Sequence, residues 1–222
     1  MLNHIYICHY SKLTDRKVHM ELQLKETGLD KLCEITWLTQ FDRETLTKST
    51  ILENYRYDSS KMYRICTMSE IAVAICHNYA ISQIAEKHNC AMIIEDDMVF
   101  KENFLENLKY ILNLKNDWEI LSIGGHYSDK DGDYEDYKNS CKDVTLTNPK
   151  VQTTPTGCYI LKKSACEKIM KHPRFKPFCS PIDETMFYVL NDVKVYWSLP
   201  FLSYEGSKLE IFNSSHFEIR GF

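Results

Sequence analysis

The chain has 222 residues, 44% of them hydrophobic and 26% charged, with a formal charge of −4 at neutral pH. That balance excludes a largely disordered chain, and the charge supplies no strongly basic face for nucleic acid or an anionic membrane surface. The length suits one hydrophobic core, so a single domain over residues 1–222 is expected.

The first ten residues, MLNHIYICHY, carry no basic leader and no long apolar run, so no secretory signal is read there. The nine cysteines are odd in number and none form a C-x-x-C pair, which reads as reduced thiols and a cytoplasmic protein. The longest apolar runs, at 71–76 and 91–94, fall far short of the roughly 20 residues of a membrane helix. A membrane span is therefore not expected, while peripheral membrane contact stays open.

Residues 5–8 are short, apolar and β-rich, and 15–27 then place Val18, Leu22 and Leu24 at helical spacing before Gly28. A second strand at 33–38 completes a βαβ opening, the usual start of a parallel sheet. Residues 40–64 are polar and irregular, a loop long enough to cover a ligand. Thr67-Met68-Ser69-Glu70 has the form of a capping box, which predicts a long helix to about residue 88. The next segment, 90–94, is a buried-strand candidate that runs into Glu95-Asp96-Asp97.

A helix over 101–114 and a strand over 118–123 continue the alternation, and 127–147 is polar and acidic, an exposed excursion. A short strand follows at 158–161, then helices at 164–171 and 183–190, and a strand at 193–197. No internal repeat is present.

Three carboxylates at a strand end repel one another unless a cation or hydrogen-bond donors offset them. In a parallel α/β sheet, ligands bind beyond the carboxyl ends of strands. Glu95-Asp96-Asp97 is thus a candidate oxygen-ligand site for Mg²⁺ or Mn²⁺, with a solvated turn as the bland alternative. Glu70 and His77 lie two helical turns apart on one face and could meet the same cleft. The bland readings are a helix cap for Glu70 and a satisfied core histidine for His77. Asp129 to Asp133 fails as an EF-hand because Tyr134 stands where glycine is required. No phosphate loop, dinucleotide fingerprint or G-x-S-x-G elbow occurs.

The ordered set Ile5-Tyr6-Ile7, Asp15-Arg16, Ser69-Glu70-Ile71-Ala72, Cys76-His77, the strand ending in Glu95-Asp96-Asp97, Thr156-Gly157-Cys158-Tyr159-Ile160 and Pro181-Ile182-Asp183 resembles glycosyltransferase family 25, the lipopolysaccharide and collagen type. The resemblance runs from residue 5 to about 207. Ser69, Ala72 and Cys76 stand where the family usually has Gly, Gly and Ser.

It implies an α/β fold of GT-A-like, Rossmann type, with a mostly parallel sheet flanked by helices, a nucleotide-binding half at about 1–125 and an acceptor-binding half at about 126–222. It further implies a UDP-sugar donor, often UDP-galactose, with Mn²⁺ or Mg²⁺ near the acidic run. Asp97 is then the metal ligand, joined by Glu95, and Glu95 and Asp96 contact ribose, donor sugar or metal-bound water. Arg16 and Asp42 would contact the nucleotide, and His216 would complete the metal shell, its bland reading being a surface residue.

Family 25 enzymes resemble inverting transferases, and Asp183 becomes the candidate base that deprotonates a glycan, lipid or protein acceptor. Its bland reading is an N-cap for a helix starting at Glu184. Two other functions use the same residues: a catalytically silent nucleotide-sugar or glycan binding module, and a metal-dependent nucleotidyltransferase or phosphohydrolase.

Overall fold

The computed structural model describes residues 2–62, 64–114, 117–125, 144–147, 156–190, 192–207 and 211–212. The Asp129–Asp133 loop, expected to be a solvated excursion, and His216, expected near the metal, lie outside them.

The βαβ opening is present as β1 (His4–Cys8), α1 (Thr14–Thr27) and β2 (Glu34–Leu38). Gly28 ends α1 with φ 76°, a left-handed conformation that costs glycine least. The buried face of α1 is Arg16, Met20, Gln23 and Leu24, whereas Val18 and Leu22 are 65% and 52% exposed. The helix phase differs from the one read off Val18 and Leu22, because Arg16 turns inward onto carboxylates and Gln23 bonds the backbone of Met98 and Phe100.

The stretch 40–64 is not wholly irregular. It holds α2 (Lys48–Asn54), capped by Thr47, whose side chain accepts from the Thr50 amide. The long helix α3 (Met68–Lys87) starts where the capping box places it. Thr67 Oγ1 accepts from the Glu70 amide at 3.3 Å, and Glu70 Oε2 accepts from the Thr67 amide at 2.7 Å.

Then come β3 (Cys90–Glu95), β4 (Met98–Phe100), α4 (Phe104–Leu114), β5 (Ile120–Ser122), β6 (Gly124–Gly125), β7 (Thr145–Thr147) and β8 (Cys158–Lys162). The last described elements are α5 (Lys163–Lys171), α6 (Ile182–Val189), β9 (Val195–Leu199) and β10 (Ser203–Glu205).

The large sheet has the order β2-β1-β3-β8-β5-β9-β7. The pairs β1–β2, β1–β3 and β5–β9 are parallel, while β8 runs against both neighbours and β7 against β9. Five of the seven strands, β2, β1, β3, β5 and β9, thus run in one direction, which makes the sheet mostly parallel as expected. Its central strands alternate between two cores, because successive side chains point to opposite faces. Tyr6, Cys8, Ala91 and Ile93 pack with Ile71, Ile75 and Ile81 of α3, and with α5 and α6. Ile5, Ile7, Met92 and Ile94 pack with Met20 and Leu24 of α1 and with Phe104 and Leu108 of α4. Full burial of such a side chain contributes about 1.5–3 kcal/mol, so the two layers fix the register firmly.

The register positions the site. Cys8 is level with Leu38 on one side and Glu95 on the other, so the chain leaves β1, β2 and β3 at one edge. Cys158 faces Ile94, and the Glu95 amide bonds the Gly157 carbonyl at 2.7 Å, which brings Thr156 and Gly157 to the same edge. A small sheet, β4-β10-β6, lies beside it. There the Gly206 amide bonds the Asp97 carbonyl at 2.7 Å, and a Cβ at Gly206 would stand 2.9 Å from that oxygen. The tight approach clamps the backbone of Asp97.

Candidate active site

A cavity of about 450 Å³ opens at the carboxyl edge of β1, β2 and β3. Its wall includes Arg16, Asp42, Glu70, Glu95, Asp96, Asp97 and Asp183. The acidic run therefore faces a hollow, as expected for a sheet-edge site, and its three carboxylates have three different surroundings.

Glu95 ends β3 with its side chain 28% exposed. His77 Nε2 stands 3.3 Å from Glu95 Oε1, and His77 Nδ1 meets the Tyr159 hydroxyl at 2.8 Å. Burial pushes the Glu95 carboxyl up, but His77 and the Thr156 hydroxyl outweigh it and hold the group below the usual glutamate range.

Asp96 is fully engaged. Its Oδ2 takes hydrogen bonds from His9 Nδ1 at 2.7 Å and the Tyr10 amide at 3.2 Å, and its Oδ1 takes one from Arg16 Nη1 at 2.9 Å. The structure thus places Asp96 as the clasp joining β1, α1 and β3, with its oxygens turned to the protein.

Asp97 is 8% exposed, and its Oδ1 has no hydrogen-bond partner. Burial raises its pKa to about 6, with the charge of Glu95 adding to the rise and Arg16 and the Ser207 hydroxyl opposing it. Arg16 Nη1 lies 3.6 Å from the other oxygen, Oδ2.

A buried carboxylate oxygen without a donor, beside a second acid, is the environment a hard divalent cation relieves. Mg²⁺ and Mn²⁺ sites commonly use one or two carboxylates and leave other positions to water and substrate phosphates. Asp97 with Glu95 fits that donor set. Among the described residues, no group of three or more His, Cys, Asp or Glu side chains gathers in a metal-holding arrangement.

The model for glycosyltransferase family 25 (LPS biosynthesis protein) matches residues 2–186, more than half of the sequence. The chain belongs to glycosyltransferase family 25. It is a glycosyltransferase, and the match spans every described acid of the cavity wall except Glu205, on β10. Among solved structures, the family 25 chain is similar to A197 from STIV, at 14% identity and TM-score 0.47, covering 89% of this chain and 81% of that one. It is also similar to a putative glucose-1-phosphate thymidylyltransferase from Bacillus anthracis, at 10% identity and TM-score 0.46, covering 89% and 86%. A third similarity is to mouse xyloside xylosyltransferase 1, at 12% identity and TM-score 0.33, covering 84% and 67%. No curated protein matches the sequence.

The remaining expected site residues of this transferase divide by position. Asp42 lines the cavity but accepts from the Ser11 amide at 3.2 Å and from the Ser11 hydroxyl, so it shapes the loop after β1. Glu70 is both wall and cap. Arg64 Nη1 donates to its Oε2 at 2.7 Å, and although burial pushes the carboxyl up, Arg64 and Thr67 hold it at about 2. His77 is fully buried behind Glu95 and does not share the cleft with Glu70 as the helical spacing suggested.

Asp183 is not an N-cap. Pro181 holds that position, α6 begins at Ile182, and Asp183 faces the cavity from the first turn. Its neighbour Glu184 also lines the wall, its pKa raised by burial and by the charge of Asp183.

Sequence reasoning missed His9, Arg43 and Arg64. His9 directly follows β1, so the carboxyl-edge rule that singled out Glu95-Asp96-Asp97 points to it as well. Arg43 stacks on the Tyr10 ring at 4.6 Å and donates to Ser69 Oγ at 2.8 Å, contacts across 33 and 26 residues of sequence that no local pattern carries.

Proposed function

We propose that this family 25 glycosyltransferase moves a hexose, with galactose the leading candidate, from a UDP-sugar to a glycan, glycolipid or protein acceptor, with inversion and with Mn²⁺ or Mg²⁺. The single observation that carries the reading is Asp97 Oδ1, a buried acceptor without a donor, on the wall of a hollow that it shares with Glu95. The LPS biosynthesis description of the family favours a glycolipid acceptor.

Asp97 and Glu95 would hold the cation, which when bound offsets the negative charge that grows on the departing diphosphate. Arg16, pinned between Asp96 and Asp97, keeps the acidic run from flying apart in the free protein. Asp183, on the opposite element α6, accepts the proton of the acceptor hydroxyl. The acceptor oxygen attacks the anomeric carbon from the face opposite UDP, and the electron pair of the breaking carbon–oxygen bond leaves with the UDP β-phosphate.

A thermal-shift series with UDP, with and without Mn²⁺, tests this directly, since a ligand bound only by the native state raises its apparent stability. The expected result is a large rise only when UDP and Mn²⁺ are both present. Binding without turnover on any acceptor would instead indicate a silent binding module, and release of pyrophosphate or inorganic phosphate would indicate nucleotidyl or phosphoryl chemistry.

A further inference from the structure

The cavity wall carries three arginines, and each already has an acid of its own. Arg16 pairs with Asp96 and Asp97, Arg43 with Glu44, and Arg64 with Glu70. A nucleotide diphosphate brings negative charge into a hollow whose cationic side chains are thus committed.

His9 stands apart from that pattern. Its Nδ1 bonds Asp96 Oδ2 at 2.7 Å, and the Trp37 ring meets it edge-on, with centroids 5.4 Å apart and planes at 80°. The ring is sunk into the cavity wall, with its side chain 1% exposed, and Nε2 has no hydrogen-bond partner among the described residues. A carboxylate on one ring nitrogen fixes the orientation and tautomer of an imidazole, and with them the direction in which the other nitrogen points. Asp96, whose oxygens all turn to the protein, has its clearest purpose as that orienting group.

We infer that His9 is a donor-binding residue whose Nε2 donates to a phosphoryl oxygen of the nucleotide-sugar, with Asp96 as its positioning residue. This rests on the UDP-sugar reading and deepens it. One ring N–H stays on Asp96, and Nε2, which takes up a proton from solvent as the diphosphate binds, donates to it, so the ring supports the charge of the leaving group from the β1 side while Asp97 and Glu95 face it from β3.

Asparagine and glutamine at this position separate the two nitrogens. His9→Asn keeps a donor where Nδ1 stands and removes Nε2, whereas His9→Gln keeps a donor near Nε2. Calorimetric titration with UDP and with pyrophosphate, both with Mn²⁺, is the test. His9→Asn is expected to bind both ligands about tenfold or more weakly, the usual size of a lost charge-assisted hydrogen bond, with His9→Gln between it and wild type. The kcat for transfer should fall further than KM rises, because the contact tightens as the leaving group gains charge.

Wild-type protein labelled with ¹⁵N at histidine gives a reading that needs no variant. Pyrophosphate should move the His9 Nε2 resonance to that of a protonated, hydrogen-bonded nitrogen and leave Nδ1–H in place. Equal affinities in wild type and His9→Asn, or a stationary Nε2 resonance in ligand-bound wild type, would overturn the role of His9 and leave the donor reading standing. Wild type that binds neither UDP nor pyrophosphate would overturn both.

Discussion

His77 Nε2 lies 3.3 Å from Glu95 Oε1, while its other ring nitrogen holds the Tyr159 hydroxyl at 2.8 Å. A fully buried histidine on α3 thereby sets the charge of a cavity carboxylate on β3. His77→Phe fills the same space and removes both contacts. It should cost about 1–3 kcal/mol, because a buried hydroxyl loses its partner. Glu95 has a depressed pKa, so its stabilising contribution is present above the ordinary glutamate value and is lost as pH falls through the folded value. The variant should therefore lose less stability than wild type on acidification, and the acid limb of its activity should move to higher pH. Denaturant melts at several pH values and a pH–rate profile check both.

Asp97→Asn should raise the stability of the metal-free protein while abolishing transfer. The Asp97 carboxyl titrates at about 6 in the fold, above its ordinary 3.8, so the native state loses stability as pH rises between those values. Removing the charge should return on the order of 1–2 kcal/mol at neutral pH, seen as a rise of a few degrees in Tm. Added Mn²⁺ should stabilise wild type and leave the variant unmoved.

The His4 and His88 rings stack at 4.3 Å where α3 ends beside β1, away from the cavity. Burial lowers both pKa values, and each feels a further cation, His88 for His4 and Lys87 for His88. A histidine with a lowered folded pKa destabilises the native state as pH falls through 6.5, where the unfolded chain takes up the proton first. Wild type should melt at a lower temperature at pH 5.5 than at pH 7.5, and His88→Phe should flatten that difference.

Thr67→Ala removes one half of the capping box and should cost about 1 kcal/mol. Glu70, held at about 2 by Arg64 and Thr67, contributes stability that is complete above 4.5 and fades as pH falls toward that value of 2. Glu70→Gln should therefore lose stability at pH 7 and little at pH 2.5, as urea denaturation at the two pH values would show.

How far this was legible depends on how local each signal is. The Thr67 cap and the strand running into Glu95-Asp96-Asp97 were readable because their cues lie within a few residues. The reversed direction of β8 was not, since a strand carries no mark of its direction until its neighbours are known. The three-residue strands β4 and β10 are too short for periodicity, yet they clamp Asp97 through Gly206. At the site, the acidic run and Asp183 could be found by position. The differing states of three adjacent acids could not, because His9, Arg16 and His77 reach them across 87, 80 and 18 residues.

The most direct measurement of the central claim is UDP release from UDP-galactose, followed with Mn²⁺ or with a chelator in wild type and Asp97→Ala. The account predicts release by wild type with Mn²⁺ and a loss of at least about a hundredfold in the variant and under chelation, the scale of removing a principal charge stabiliser. Undiminished release by Asp97→Ala, or by wild type stripped of divalent cations, would contradict it.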